Sequence, residues 1–122
     1  MSDRRQRIGK RGEELARRYL ASLDYAILET NYRAAGGEID LVAEHRGTLV
    51  FVEVRTRGVS DFGSPEESVT RAKRSHMVAA AQEYLQIHHA EERDWRVDLV
   101  AIEYGRDGTV TRVEIVENAV EV

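Results

Sequence analysis

Two acidic residues, Asp40 and Glu53, lie in the clearest strand-like runs of the chain, 38–45 and 48–56. Arg46-Gly47 between these runs suits a two-residue hairpin loop, with glycine relaxing the backbone. If His45 pairs with Thr48, Asp40 falls opposite Glu53 and Glu38 opposite Arg55, all on one face of the sheet. A three-residue loop would instead put Asp40 and Glu53 on opposite faces, because one step of register reverses every side chain. Directly opposed residues bring their Cβ atoms to about 4.5–5.5 Å, and like charges so placed destabilise the pair. A hard divalent cation compensates, since Mg²⁺ takes oxygen ligands and uses one or two carboxylates plus water and phosphate. Such an ion polarises a phosphoryl oxygen and activates a bound water, which is phosphodiester hydrolysis in outline. The plainer alternative is a solvated hairpin face, with Glu38 and Arg55 as a surface ion pair. Val42 and Phe51 make the same face partly apolar, and several basic groups lie nearby in the chain, which argues against it.

The elements that would position these residues can be read from periodicity. Residues 8–23 predict an amphipathic helix, with Ile8, Leu15, Ala16, Tyr19, Leu20 and Leu23 on one stripe. Gly12 falls near the middle of that stripe, where it lets a neighbouring element come close. Glu13 falls at the edge of the stripe and Glu14 on the solvent side. A short strand is expected over 25–30 and a loop over 31–37, where Gly36 and Gly37 adjoin. The apolar run Leu49-Val50-Phe51-Val52 suits the middle of a sheet. Ser64-Pro65-Glu66-Glu67 resembles a helix start, and Thr70 offers a second cap, so the first turn can be separate from the main helix. That helix carries Met77, Val78, Ala81, Tyr84 and Leu85 on one face and ends near His88 or His89. Strands over 97–103 and 110–116 complete the order α-β-β-β-α-β-β. The strand-helix-strand passage favours a right-handed crossover and a parallel strand pair, hence a mixed α/β sheet carrying helices.

With 122 residues the chain fits one domain spanning 1–122. It has no cysteine, so disulfides and thiolate metal sites are excluded. No apolar run approaches the roughly 20 residues that span a bilayer, and the basic start lacks the apolar stretch of a secretion signal. A cytoplasmic protein with no membrane partner is expected. The net charge of −4 hides a gradient: residues 1–76 hold 14 Lys/Arg against 12 Asp/Glu, and residues 77–122 hold 4 against 10. A phosphate-facing surface therefore belongs to the first two thirds, where Arg4, Arg5, Arg7, Lys10 and Arg11 cluster, unless these form only a solvated tail. The four histidines, His45, His76, His88 and His89, lack the spacing of a supported zinc site and read as structural or solvated. Trp95 and Tyr84 read as core before they read as base-stacking groups.

Taken together, several segments resemble the YraN-like family. They are Gly12-Glu13 with Leu15-Ala16 and Tyr19-Leu20, Gly37-Glu38-Ile39-Asp40-Leu41-Val42, Val50-Phe51-Val52-Glu53-Val54-Arg55, Glu67-Ser68-Val69-Thr70 with Lys73, the Ala80-Ala81 and Tyr84-Leu85 pairs, Arg96-Val97-Asp98-Leu99-Val100-Ala101-Ile102, and Glu117-Asn118-Ala119. The resemblance implies a restriction-endonuclease-like fold of the PD-(D/E)xK superfamily, near the archaeal Holliday-junction resolvases. It maps a catalytic set onto Glu13, Asp40, Glu53 and Arg55, with Asp40 and Glu53 as ligands of Mg²⁺ or Mn²⁺. Glu53-Val54-Arg55 stands where many relatives in that superfamily have Glu-x-Lys. Arginine stays charged and holds phosphate bidentately, so transition-state stabilisation survives the change better than proton abstraction does.

The expectation is thus a metal-dependent endonuclease acting on DNA, branched DNA included. Arg7, Lys10, Arg11, Arg57 and Lys73 are its candidate nucleic-acid contacts. Lys73 is either an ammonium delivered from the long helix or an ordinary surface lysine. A junction-cutting role calls for a two-fold homodimer, because a four-way junction needs paired cuts. The rival expectation is a non-catalytic nucleic-acid or protein-binding module on the same fold, favoured by Arg55 and by the negative total charge.

Overall fold

The computed structural model describes residues 4–59, 61 and 63–120, with side chains from Ile8 onward. Helix α1 spans Arg4–Ser22, followed by strands β1 (Ala26–Ala34), β2 (Gly37–His45) and β3 (Thr48–Gly58). A single 3₁₀ turn at Glu66–Ser68 precedes α2 (Arg71–Ile87), and β4 (Trp95–Tyr104) and β5 (Val110–Val116) close the chain. The expected order is the observed one, and α2 crosses from β3 to a parallel β4. The five strands lie in sequence order in one mixed sheet, antiparallel except at that pair. No described helix is long and apolar enough to cross a membrane.

Several boundaries differ from the expected ones for local reasons. Helix α1 begins before the apolar stripe does, because Arg4, Arg5, Gln6 and Arg7 are acceptable helix formers that carry no apolar signal. Residues 31–34, expected as loop, continue β1. The turn is only Ala35-Gly36, and Asn31 adopts φ 51° inside the strand, a conformation asparagine tolerates. The Ser64 motif forms a reciprocal capping box: Ser64 N–H donates to Glu67 Oε1 at 2.8 Å, and Glu67 N–H to Ser64 Oγ at 3.1 Å. It caps only the 3₁₀ turn. The helix proper starts at Thr70, whose Oγ1 accepts the Lys73 N–H at 3.1 Å.

The sheet carries a helix on each face. Leu49 and Phe51 of β3 join Met77, Ala80, Ala81, Tyr84 and Leu85 of α2. Their neighbours Val50 and Val52 join Ala16 and Leu20 of α1. A central strand buried on both faces explains its unbroken apolar run, each such side chain contributing about 1.5–3 kcal/mol. Tyr84 packs edge-on against Phe51 and stacks on His88, and Trp95 packs edge-on against Phe51, so all three rings are structural. Gly12 permits the α1–β3 approach: a Cβ there would stand 2.5 Å from Thr56 Cγ2.

At the opposite edge of the core, Asp98 is completely buried on β4. It accepts from Arg96 Nε at 3.0 Å and from the Asn118 backbone N–H at 2.9 Å, which ties the segment after β5 to the sheet. Arg96 also donates to Tyr25 Oη, and the Tyr25 ring lies flat on His45, with ring centres 3.9 Å apart.

Candidate active site in the notch between two strands

The hairpin has the two-residue loop, with Arg46 and Gly47 both at positive φ and His45 paired to Thr48. The ladder runs in that register as far as Leu41 opposite Val52 and stops there. Glu38 does not oppose Arg55; it pairs with Arg33 of β1. The reason is a break in the alternation of β2. Ile39 belongs to the core under α2, whereas Leu41, two residues on, belongs to the core under α1. Asp40 stands at the break, and its Oδ2 accepts the Val54 N–H at 2.8 Å. A β-strand N–H lies in the plane of the sheet, so the Asp40 carboxyl replaces the backbone acceptor that β2 no longer supplies. The two strands part there into a notch with Asp40 on one wall and Glu53 on the other.

Glu53 is 3% exposed and, with Asp98, is one of the two charged side chains in the core among the described residues. Arg55 Nε and Lys73 Nζ each lie 3.3 Å from the same oxygen, Glu53 Oε2. Lys73 reaches it from the first turn of α2. Arg55 Nε is buried and makes no hydrogen bond, so it retains an unused donor at the notch. Burial, the charge of Glu53 and a hydrogen bond between the two carboxyls push Asp40 up to about 8, against the lowering effect of the Val54 N–H. Its raised pKa favours the protonated form of Asp40 at neutral pH.

Glu13 approaches from α1. Burial raises its pKa, and the negative charges of Glu38 and Glu53 raise it further, with Lys10 opposing. Asn31, not singled out in the sequence, belongs to this group. With its amide nitrogen turned to the acids, it donates to Glu13 Oε1 at 2.8 Å and to Glu38 Oε1 at 3.2 Å. Its only signal in the sequence was asparagine beside a glycine-containing segment, which reads as a loop.

The remaining candidates are dispersed. Lys10 and Arg11 are exposed and line a groove of about 760 Å³ between α1 and the β4–β5 hairpin, with Ile8, Leu15, Ile102 and Tyr104. Arg57 donates to the Thr56 carbonyl at 2.9 Å. The Arg7 side chain lies outside the described residues. Among the described residues, no three His, Cys, Asp or Glu side chains are gathered as a metal cluster. Asp40 and Glu53 offer hard oxygen donors. That donor set fits an ion such as Mg²⁺, whose remaining positions water and phosphate would fill.

The chain resembles known proteins along almost its whole length. Residues 12–102 match the model of a family described as "Uncharacterised protein family UPF0102". A UPF0102 protein of Roseiflexus castenholzii is 45% identical over 99% of this chain and 98% of its own length. One from Dehalococcoides mccartyi is 40% identical over 98% and 97% of the two chains, and one from Clavibacter michiganensis is 42% identical over 95% and 98%. The matched span runs from the glycine of the α1–β3 contact through both walls of the notch to Ile102 of β4. By sequence and along both walls of its candidate site, the chain belongs to family UPF0102.

Proposed function

We propose that this protein is a divalent-metal-dependent nuclease of the PD-(D/E)xK, restriction-endonuclease-like type, hydrolysing phosphodiester bonds in DNA. The observation that carries this reading is the half-buried Asp40 carboxyl at the break in the sheet ladder with the buried Glu53 beside it, next to the Arg55 guanidinium. A carboxylate pair has little use in a site that only binds an anion, because it repels the anion. It has a clear use where a cation links protein and phosphate.

In this reading Asp40 and Glu53 hold Mg²⁺ or Mn²⁺. When bound, the ion supplies Lewis acidity to a phosphoryl oxygen and lowers the pKa of an adjacent water. Arg55, fixed on β3, turns the exposed part of its guanidinium to a non-bridging phosphate oxygen, where negative charge grows in the transition state. Glu13, its proton affinity raised by burial, orients the attacking water and accepts its proton. The water oxygen bonds to phosphorus in line with the departing oxygen, the P–O bond opposite breaks, and the departing oxygen is protonated from solvent. Lys10, Arg11, Arg7 and Arg57 are the proposed contacts to the DNA backbone. Branched DNA is the proposed substrate, cut by a two-fold homodimer in the cytoplasm.

A second reading has its own support. Arg55 and Lys73 already neutralise Glu53 without a metal, which suits a binding module that no longer cuts. Incubation with linear, flapped and four-way DNA in Mn²⁺ separates the two. The nuclease reading expects cleavage by wild type, none by Asp40→Asn, and a loss of about a hundredfold in Arg55→Ala with little change in DNA affinity. A binding module cuts nothing, and Arg55→Ala weakens its binding and lowers the salt dependence by about one phosphate contact.

A further inference from the structure

The first turn of α2 is built against its own dipole. It contains Arg71, Lys73 and Arg74 and no acidic residue, although a helix N-terminus favours negative charge. Lys73 is held there by Glu53, at 3.3 Å from an oxygen that Arg55 also approaches to 3.3 Å. The two cations differ in freedom. Arg55 is anchored on a central strand and ends in a rigid fork; Lys73 is one-third exposed at a helix end and carries its charge on four flexible carbons. A divalent ion bound to Glu53 at about 2.0–2.1 Å would come close to the Lys73 ammonium, and both cannot occupy that position.

We propose that Lys73 is a built-in stand-in for the metal ion: it holds the Glu53 carboxylate while the site is metal-free and is released by the ion to engage the substrate phosphate. This inference rests on the metal-dependent reading above. Displacement sets the direction of the exchange, since the ion brings two charges where the ammonium brings one. The released chain remains at the mouth of the notch, with exposed Arg71 and Arg74 on the same helical turn, so its nearest available anion is the incoming backbone. The arrangement couples metal loading to readiness for DNA. It also keeps the buried Glu53 charge compensated at all times, where an unpaired buried charge would be strongly destabilising.

Calorimetric titration of the metal-free protein with Mn²⁺, without DNA, tests the exchange. Lys73→Met is expected to bind Mn²⁺ about tenfold more tightly than wild type, the effect of removing one close competing charge pair. Lys73→Arg, which keeps the cation, stays near wild type, and Asp40→Asn binds none. At saturating Mn²⁺, Lys73→Met is expected to cleave DNA about a hundredfold more slowly, as for loss of one transition-state donor. Equal or weaker Mn²⁺ binding by Lys73→Met overturns the stand-in, and unchanged cleavage overturns the transfer to phosphate. If wild type binds Mn²⁺ and Asp40→Asn does not, either result leaves the metal site standing. If no variant binds Mn²⁺, the metal-dependent reading falls together with this one.

Discussion

Raising the pH from about 6 to about 8 is expected to tighten Mn²⁺ binding by about a hundredfold, one proton being displaced for each ion bound. The expectation comes from Asp40. Burial is the largest cause of its raised proton affinity, followed by the charge and hydrogen bond of Glu53, and together they lift it from 3.8 to about 8. A metal ligates the carboxylate and not the acid, so below about pH 8 each ion must expel that proton. The apparent affinity then rises tenfold per pH unit, or about 1.4 kcal/mol, and levels off above about pH 8. Without metal the trend in stability is opposite. The folded value lies above the unfolded one, so the stability contributed by the proton is fully present below 3.8 and is lost as pH rises through about 8. Over that window the metal-free protein should lose up to about 1.4 kcal/mol per pH unit from this group. Calorimetry in buffers of different ionisation heat reads the proton release, and urea unfolding against pH reads the stability. Asp40→Asn, which cannot take up the proton, should show neither slope. A wild-type Mn²⁺ affinity that does not vary with pH, with no proton released, would refute the raised proton affinity of Asp40 and the charge argument built on it.

Two further predictions concern the frame around the notch. Gly12→Ala gains about 1 kcal/mol of helix propensity but drives a methyl to 2.5 Å from Thr56 Cγ2, and overpacking of this kind costs about 1–3 kcal/mol. A net loss of up to about 2 kcal/mol in urea unfolding is expected, recovered in the double variant with Thr56→Ser, which removes the obstructing methyl. Asp98→Ala should cost about 3–5 kcal/mol in the same assay, because it leaves Arg96 without its buried partner and the Asn118 N–H without an acceptor. A loss below about 1 kcal/mol would mean that the segment after β5 is held by other contacts.

How far the site could be read from the sequence follows from which of its contacts are local. The hairpin register was legible because Arg46-Gly47 permits two successive positive φ angles, and one correct pair then fixes the others as far as Leu41 opposite Val52. The order of elements along the chain followed from the spacing of the apolar runs, and the parallel pair from the strand-helix-strand passage. The end of the ladder at Leu41 was not legible, since the exchange of faces between Ile39 and Leu41 depends on which helix lies over each residue. Asn31 escaped notice for a related reason: its positive φ made a strand residue look like part of a loop. Lys73 could be named but not joined to Glu53, because they meet only after α2 crosses back over the sheet. Regular alternation would have set Asp40 squarely opposite Glu53, leaving the Val54 N–H to a backbone carbonyl and two carboxylates in repulsion above an intact sheet. The break instead brings Asp40 Oδ2 to the Val54 N–H, where a backbone carbonyl of β2 would otherwise stand. The position at which the simple strand rule fails is therefore the position at which the chain departs from an ordinary sheet, as expected where local regularity yields to a site.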